Sequence, residues 1–262
     1  MLPRLECFRQ LPASWLHWEP VQGGLQVHRQ LLQRLSGART HVMAQDPQSA
    51  LQAVNQGRRA SWNPLRRKDP SAALLADDQT RVGMLWANML LHRETRPLAL
   101  LQRWNQHIDT DGFLMFSCLG PDSLSELRVL YRRRGWGEPT HGFVDMHDWG
   151  DLLVRAGFAE PVVDMERITL TYSSAEAMLD ELRLLGRNFN RDRFPGLRGR
   201  SWRRQLIEAI EGTMPRTPDG RIQLGFEVIY GHAFKPEPRL KAAPEQSVSV
   251  AAMRDMLRSS RR

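Results

Sequence analysis

Apolar residues recur along this chain in two periods, one helical and one extended, and the two alternate. In 148–158, Leu152, Leu153, Val154, Ala156 and Phe158 recur at near-helical spacing, with Asp148 placed to cap the helix and Gly157 to stop it. The run 162–170 is rich in Val, Ile and Thr and partly alternates, which predicts a strand. Between Gly112 and Gly120 the apolar run is almost unbroken, the pattern of a strand buried on both faces of an α/β sheet.

Upstream, residues 1–13 form a mixed-polarity arm bracketed by Pro3 and Pro12. A strand over 14–19, a glycine turn over 20–24, and a helix with Leu25, Val27, Leu31, Leu32 and Leu35 inward follow. A second strand over 40–46 and a short helix over 48–56 come next. Only 71–75 hints at a third strand within the polar stretch 57–78. A buried strand is predicted over 81–88 and a helix over 97–108 with Leu98, Leu100, Leu101 and Trp104 inward. Ser173-Ser174-Ala175-Glu176 opens a helix with Met178, Leu179, Leu182 and Leu185 inward, and another helix spans 202–210. The alternating run 221–230 fits the edge of a sheet, and a short terminal helix of mixed character is expected over 248–257. The succession predicts a doubly wound, Rossmann-like α/β fold.

At 262 residues with 41% hydrophobic content, the chain can bury one substantial core. It is expected as a single domain over 1–234, with an insertion at about 173–214 and a basic tail over 235–262. It has no apolar run of about 18 residues or more, and the beginning lacks the basic-then-apolar order of a secretory signal, so a cytoplasmic location is expected. Cys7 and Cys118 are expected to be reduced thiols, with Cys118 filling the core. No cysteine metal site is suggested.

The net charge of +8 is concentrated in Arg183, Arg187, Arg191, Arg193, Arg198, Arg200, Arg203 and Arg204, opposed within that span only by Asp192. Such a block attracts nucleic acid, an anionic membrane face or an acidic protein, and it also suits a plain solvated face. Few aromatics interleave it (Phe189, Phe194 and Trp202), so nucleic acid is not expected. In an open parallel sheet, ligands bind at the carboxyl ends of the strands, so Glu19, Asp46, Asn88 and 117–120 would face one cleft. Asp46 follows the Gly23-Gly24 turn at the ~20-residue spacing of an acid that accepts from a ribose hydroxyl, although a lone Gly-Gly also serves as a simple turn.

Several blocks in order carry a resemblance. They are Asn88-Met89-Leu90-Leu91-His92, Gly112-Phe113-Leu114-Met115-Phe116-Ser117, Gly120-Pro121-Asp122-Ser123-Leu124, Phe143-Val144-Asp145-Met146-His147-Asp148-Trp149-Gly150-Asp151, Ala156-Gly157-Phe158 and Phe226-Glu227-Val228-Ile229-Tyr230-Gly231-His232-Ala233. This set resembles the malonyl-[acyl carrier protein] O-methyltransferases of biotin synthesis, which are class I S-adenosylmethionine-dependent methyltransferases. Gly186-Arg187-Asn188 and Arg193-Phe194-Pro195-Gly196-Leu197 resemble that family's insertion before the last strand.

The resemblance implies a seven-stranded, mostly parallel sheet with helices on both faces and a final antiparallel strand. It implies S-adenosylmethionine as cofactor, touched by Glu19, Gly23, Gly24, Asp46 and Asn88. It also implies a malonyl thioester on acyl carrier protein or coenzyme A as acceptor, with Arg187, Arg191 and Arg198 positioned for its carboxylate. The same arginines suit an acidic carrier protein. No catalytic acid, base or nucleophile is implied, and local capping explains the family-like His147 and Asp122 equally well. The chain departs from the family in two places: Val21 and Leu25 stand at two of three glycine positions, and His92-Arg93 stands where an aromatic is frequent. A methyltransferase fold that has lost its cofactor and acts as a binding partner is the alternative.

Overall fold

A computed structural model describes residues 1–8, 10–56, 73–186, 188 and 190–237. After a 3-10 turn at Leu2–Cys7, the elements are β1 (Ser14–Trp18), α1 (Leu25–Arg34), β2 (Arg39–Met43), α2 (Pro47–Gln56), β3 (Leu74–Leu75), β4 (Val82–Asn88) and α3 (Pro97–Gln106). They continue with β5 (Ile108–Leu119), α4 (Ser125–Arg134), α5 (Met146–Arg155), β6 (Ala159–Tyr172), α6 (Ala175–Leu184), α7 (Arg200–Thr213) and β7 (Ile222–Phe234). The seven strands form one sheet in the order β3-β2-β1-β4-β5-β7-β6. Neighbours from β3 through β5 run parallel, and β7 is antiparallel to both β5 and β6.

The pleat sorts the core into two layers. Trp15, Met84, Trp86, Phe113 and Met115 pack with Leu31 of α1, with Leu35 just past its end, and with Leu5. Their chain neighbours Leu16, Leu85, Ala87, Leu114 and Phe116 pack with Leu101 and Trp104 of α3 and Trp149 and Leu153 of α5. Trp104 meets Trp18 edge-on, centroids 6.0 Å apart, a contact that fixes α3 against the sheet beyond simple area burial. A further cluster joins α4, α6 and α7 to β7 through Leu127, Leu130, Met178, Leu206, Ile210, Leu224 and Phe226. Cys118 is fully buried in β5, and burial pushes its thiol pKa up.

Four expectations need correction. The helix at 146–155 begins earlier than the pattern suggests, and its cap is Asp145, whose carboxylate accepts from His147 N at 2.8 Å, rather than Asp148. Leu185 lies just past the end of α6 and is exposed, whereas Met178 is fully buried. β7 is not an edge strand; it lies between β5 and β6. Its first half, Ile222–Glu227, pairs with β6 alone, and β5 joins only from Val228 onward, so the alternation reflects an edge in that half only. α4 was not expected. The terminal helix at 248–257 and most of the stretch 57–78 lie outside the described residues.

Candidate active site

The chain bends sharply where β1 ends. Glu19 adopts a left-handed φ of 53°, and Gly23 N donates to Glu19 O at 2.8 Å to close the bend. A Cβ on Gly23 would stand 3.1 Å from Asn88 O and 3.3 Å from Asn88 Cβ, so this backbone runs against the end of β4 with no room for a side chain. Gly24 has a φ of +102° and opens α1.

Hydrogen bonds join the ends of four strands. The buried Glu19 carboxylate accepts from Gln45 N, just past β2, at 2.5 Å and from Gln22 Nε2 at 3.4 Å. Burial raises its pKa, the Gln45 bond opposes that shift, and the nearby Asp46 charge adds to it. Asn88 Nδ2 donates to Gly23 O at 2.5 Å, Ser117 Oγ donates to Asn88 Oδ1 at 2.6 Å, and Met89 N donates to Ser117 Oγ at 3.2 Å. Asp46 is exposed and caps α2, accepting from Ser49 Oγ at 2.7 Å, Ser49 N at 2.9 Å and Gln48 N at 3.3 Å. Those bonds hold its carboxyl below the usual range. Glu19, Gly23, Gly24, Asp46 and Asn88 are thus brought to one end of the sheet.

The two departures from the glycine pattern differ in kind. Leu25 packs against Val42, Ala50, Ala53 and Val54, so its side chain belongs to the core between β2 and α2. Val21 is half-buried at the bend. The donor set fits a ligand that carries vicinal hydroxyls and a cationic centre. Asp46 retains acceptor capacity beyond its three capping bonds, Asn88 has one amide hydrogen left, and the two carboxylates supply negative potential.

A second wall is hung from the insertion between α6 and α7. Asn188 Nδ2 donates to Glu138 O at 2.9 Å and Asn190 Nδ2 to Thr140 O at 2.8 Å. Arg198 donates to Trp136 O, and its guanidinium stands 4.3 Å from the Phe194 ring centroid and 4.2 Å from that of Trp202. His141 Nε2 in turn donates to His92 O at 2.5 Å, which joins this wall to the chain after β4. An open groove of about 440 Å³ lies on the insertion between Trp136, Phe194, Leu197 and Trp202. Arg191, elsewhere on the insertion, is exposed, and Arg187 lies outside the described residues. His147 is exposed, and Asp122 is ion-paired with Arg167.

Two further residues at the bend carried no signal of their own in the pattern. Gln22 bridges Glu19 to Arg93, whose Nη1 donates to Gln22 Oε1 at 3.4 Å. The departure at His92-Arg93 from the resembled family was the one available pointer. Glu227 is buried in β7 and accepts from Asp122 N at 2.7 Å, holding the loop after β5.

Known proteins share much of this sequence. A Malonyl-[acyl-carrier protein] O-methyltransferase of Gallionella capsiferriformans is 35% identical over 249 residues, 92% of this chain and 83% of the relative. The like-named Halorhodospira halophila protein is 36% identical over 89% of this chain and 78% of its own length. That of Laribacter hongkongensis is 42% identical over 160 residues, and the match spans only about half, 52%, of that relative. The solved YcgJ protein of Bacillus subtilis is 9% identical with a TM-score of 0.55, covering 90% of this chain and 97% of its own, a likeness of fold alone. No protein-family model matches the chain. With the greater part of two such relatives aligned to it, the chain belongs to the malonyl-[acyl-carrier protein] O-methyltransferase family.

Proposed function

We propose that the protein transfers a methyl group from S-adenosylmethionine to the free carboxylate of a malonyl thioester carried on acyl carrier protein, a step of biotin synthesis. The observation that carries this reading is the 35% identity to the Gallionella enzyme across 92% of the chain. The convergence of Glu19, Gly23, Asp46 and Asn88 at one end of the sheet supports it.

When bound, S-adenosylmethionine supplies an activated methyl on a sulfonium. Glu19, Gly23, Gly24, Asp46 and Asn88 would hold it, with Asp46 suited to ribose hydroxyls and the bend to the methionine end. A malonyl carboxylate is ionised at neutral pH and needs no general base, so the protein's task is to hold the acceptor in line and exclude water. Arg191, with Arg193 and Arg200 on the same insertion, suits an acidic carrier protein, and Arg198 braces the loop that presents them. Arg187 is a further candidate for the same surface. Coenzyme A is an alternative carrier, and the cytoplasm is the expected compartment; among the described residues no helix is long and apolar enough to cross a membrane.

The test is mass-spectrometric detection of the methyl ester after incubation with malonyl-carrier protein and S-adenosylmethionine. Absence of product, together with absence of calorimetric binding of S-adenosylhomocysteine, overturns the reading.

A further inference from the structure

Arg93 lies just beyond the chain end of β4, at the corner where both walls of the crevice meet. Its Nη1 donates to Gln22 Oε1 at 3.4 Å, and Gln22 Nε2 reaches the Glu19 carboxylate at 3.4 Å, so the guanidinium is one side chain away from the acid of the bend. On its other side, Arg93 Nη2 stands 3.3 Å from where a Cβ on Gly186 would lie, at the start of the insertion. Its neighbour His92 accepts through its carbonyl from His141, in the segment that the insertion grips.

The charge of Arg93 is uncommitted. Arg4, Arg34, Arg103, Arg167, Arg203, Arg204 and Arg216 each pair with a carboxylate. Among the described residues no carboxylate pairs with Arg93, and its one side-chain hydrogen bond is to a neutral amide. The side chain is exposed and has donors to spare. Arg198, by contrast, is committed to Trp136 O and two aromatic rings.

We propose that Arg93 is the acceptor-binding residue, and that its planar guanidinium takes the free carboxylate of a short dicarboxylic half-thioester while Gln22 sets its orientation toward the bend. This deepens the functional reading above and rests on it. A carboxylate held bidentately at this corner lies between the loop that holds the methyl donor and the insertion that faces the carrier, so the thioester arm runs outward along the insertion. The arrangement also discriminates: the methyl ester product carries no charge on that oxygen pair and loses the ion pair, which favours its release.

Binding of malonyl-carrier protein and of its methyl ester to the full chain, in the presence of S-adenosylhomocysteine, tests the assignment with Arg93→Met and Arg93→Lys. Arg93→Met is expected to weaken malonyl-carrier binding by at least about tenfold, with methyl-ester binding and S-adenosylhomocysteine affinity within about twofold of wild type, and Arg93→Lys to restore part of the loss. Equal affinity of wild type and Arg93→Met for the malonyl form overturns the assignment and leaves the proposed function standing. Parallel loss of the methyl ester or of S-adenosylhomocysteine binding also overturns it, because Arg93 then acts through the bend. A wild-type protein that binds neither carrier form overturns the function and this assignment with it.

Discussion

Asn88 and Gly23 hold one another: the Asn88 carboxamide donates to the Gly23 carbonyl, while the missing side chain of Gly23 leaves space for the Asn88 backbone. The bend after β1 is therefore a feature of two strand ends acting together. Asn88→Ala removes bonds to Gly23 O and Ser117 Oγ and is expected to cost about 1–3 kcal/mol of stability. It should also weaken S-adenosylhomocysteine binding more than tenfold. Denaturant unfolding and calorimetry check the two effects, and unchanged ligand affinity would remove Asn88 from the site.

The two residues that replace glycines should separate cleanly. Leu25→Ala removes apolar contact with Val42, Ala50, Ala53 and Val54, with an expected loss of about 1–3 kcal/mol. Val21→Gly should change stability by less than about 1 kcal/mol, the usual size of a loop glycine effect, and should tighten S-adenosylhomocysteine binding by clearing the bend. Paired melting curves and titrations decide. Tighter binding in Leu25→Ala alone would contradict the assignment of Leu25 to the core.

Acid should destabilise this protein through its buried histidines. Burial holds His28 and His92 at about 4 and His17 well below its ordinary value, and the rings of His17 and His28 share a 2.9 Å Nδ1···Nδ1 hydrogen bond. Their folded values lie below the unfolded 6.5, so the unfolded chain binds more protons as pH falls. The stability these neutral rings contribute is present above about 6.5 and declines toward pH 4, by up to about 1.4 kcal/mol per pH unit for each ring. Unfolding free energies measured at pH 7.5 and 5.0 test this. His28→Leu should flatten the decline, and an unchanged slope argues against the pair as its source.

Arg198→Ala should loosen the insertion without disturbing the sheet. Two ring contacts and the bond to Trp136 O are lost, an effect of about 1–3 kcal/mol on local opening. Hydrogen exchange over 188–199 should accelerate while β4 and β5 keep their protection. Faster exchange throughout the sheet would place Arg198 in the global fold instead.

The central strands were legible because each is buried on both faces, so 81–88 and 112–120 read as nearly continuous apolar runs, one ending in Asn88 and the other containing Ser117. α4 escaped notice because only Leu127 and Leu130 of it are buried and it ends in Arg132-Arg133-Arg134. β3 is two exposed leucines inside the 71–75 stretch that hinted at a third strand, and its place at the edge of the sheet is given by pairing with His41 and Val42. The positions of Glu19, Asp46 and Asn88 followed from the rule that ligands gather at the carboxyl ends of parallel strands. The contacts of Arg93 did not, because they depend on a glycine almost a hundred positions away that lies near it only in the fold.

β6 and β7 are hydrogen-bonded neighbours, so the chain that leaves one at Tyr172 returns to the other at Ile222 directly opposite. Everything between is an excursion that starts and ends at one point of the sheet, and its length bears on folding only weakly, through the logarithm of loop size. Residues of that excursion can therefore be exchanged one by one while the pairing that anchors both of its ends stays untouched.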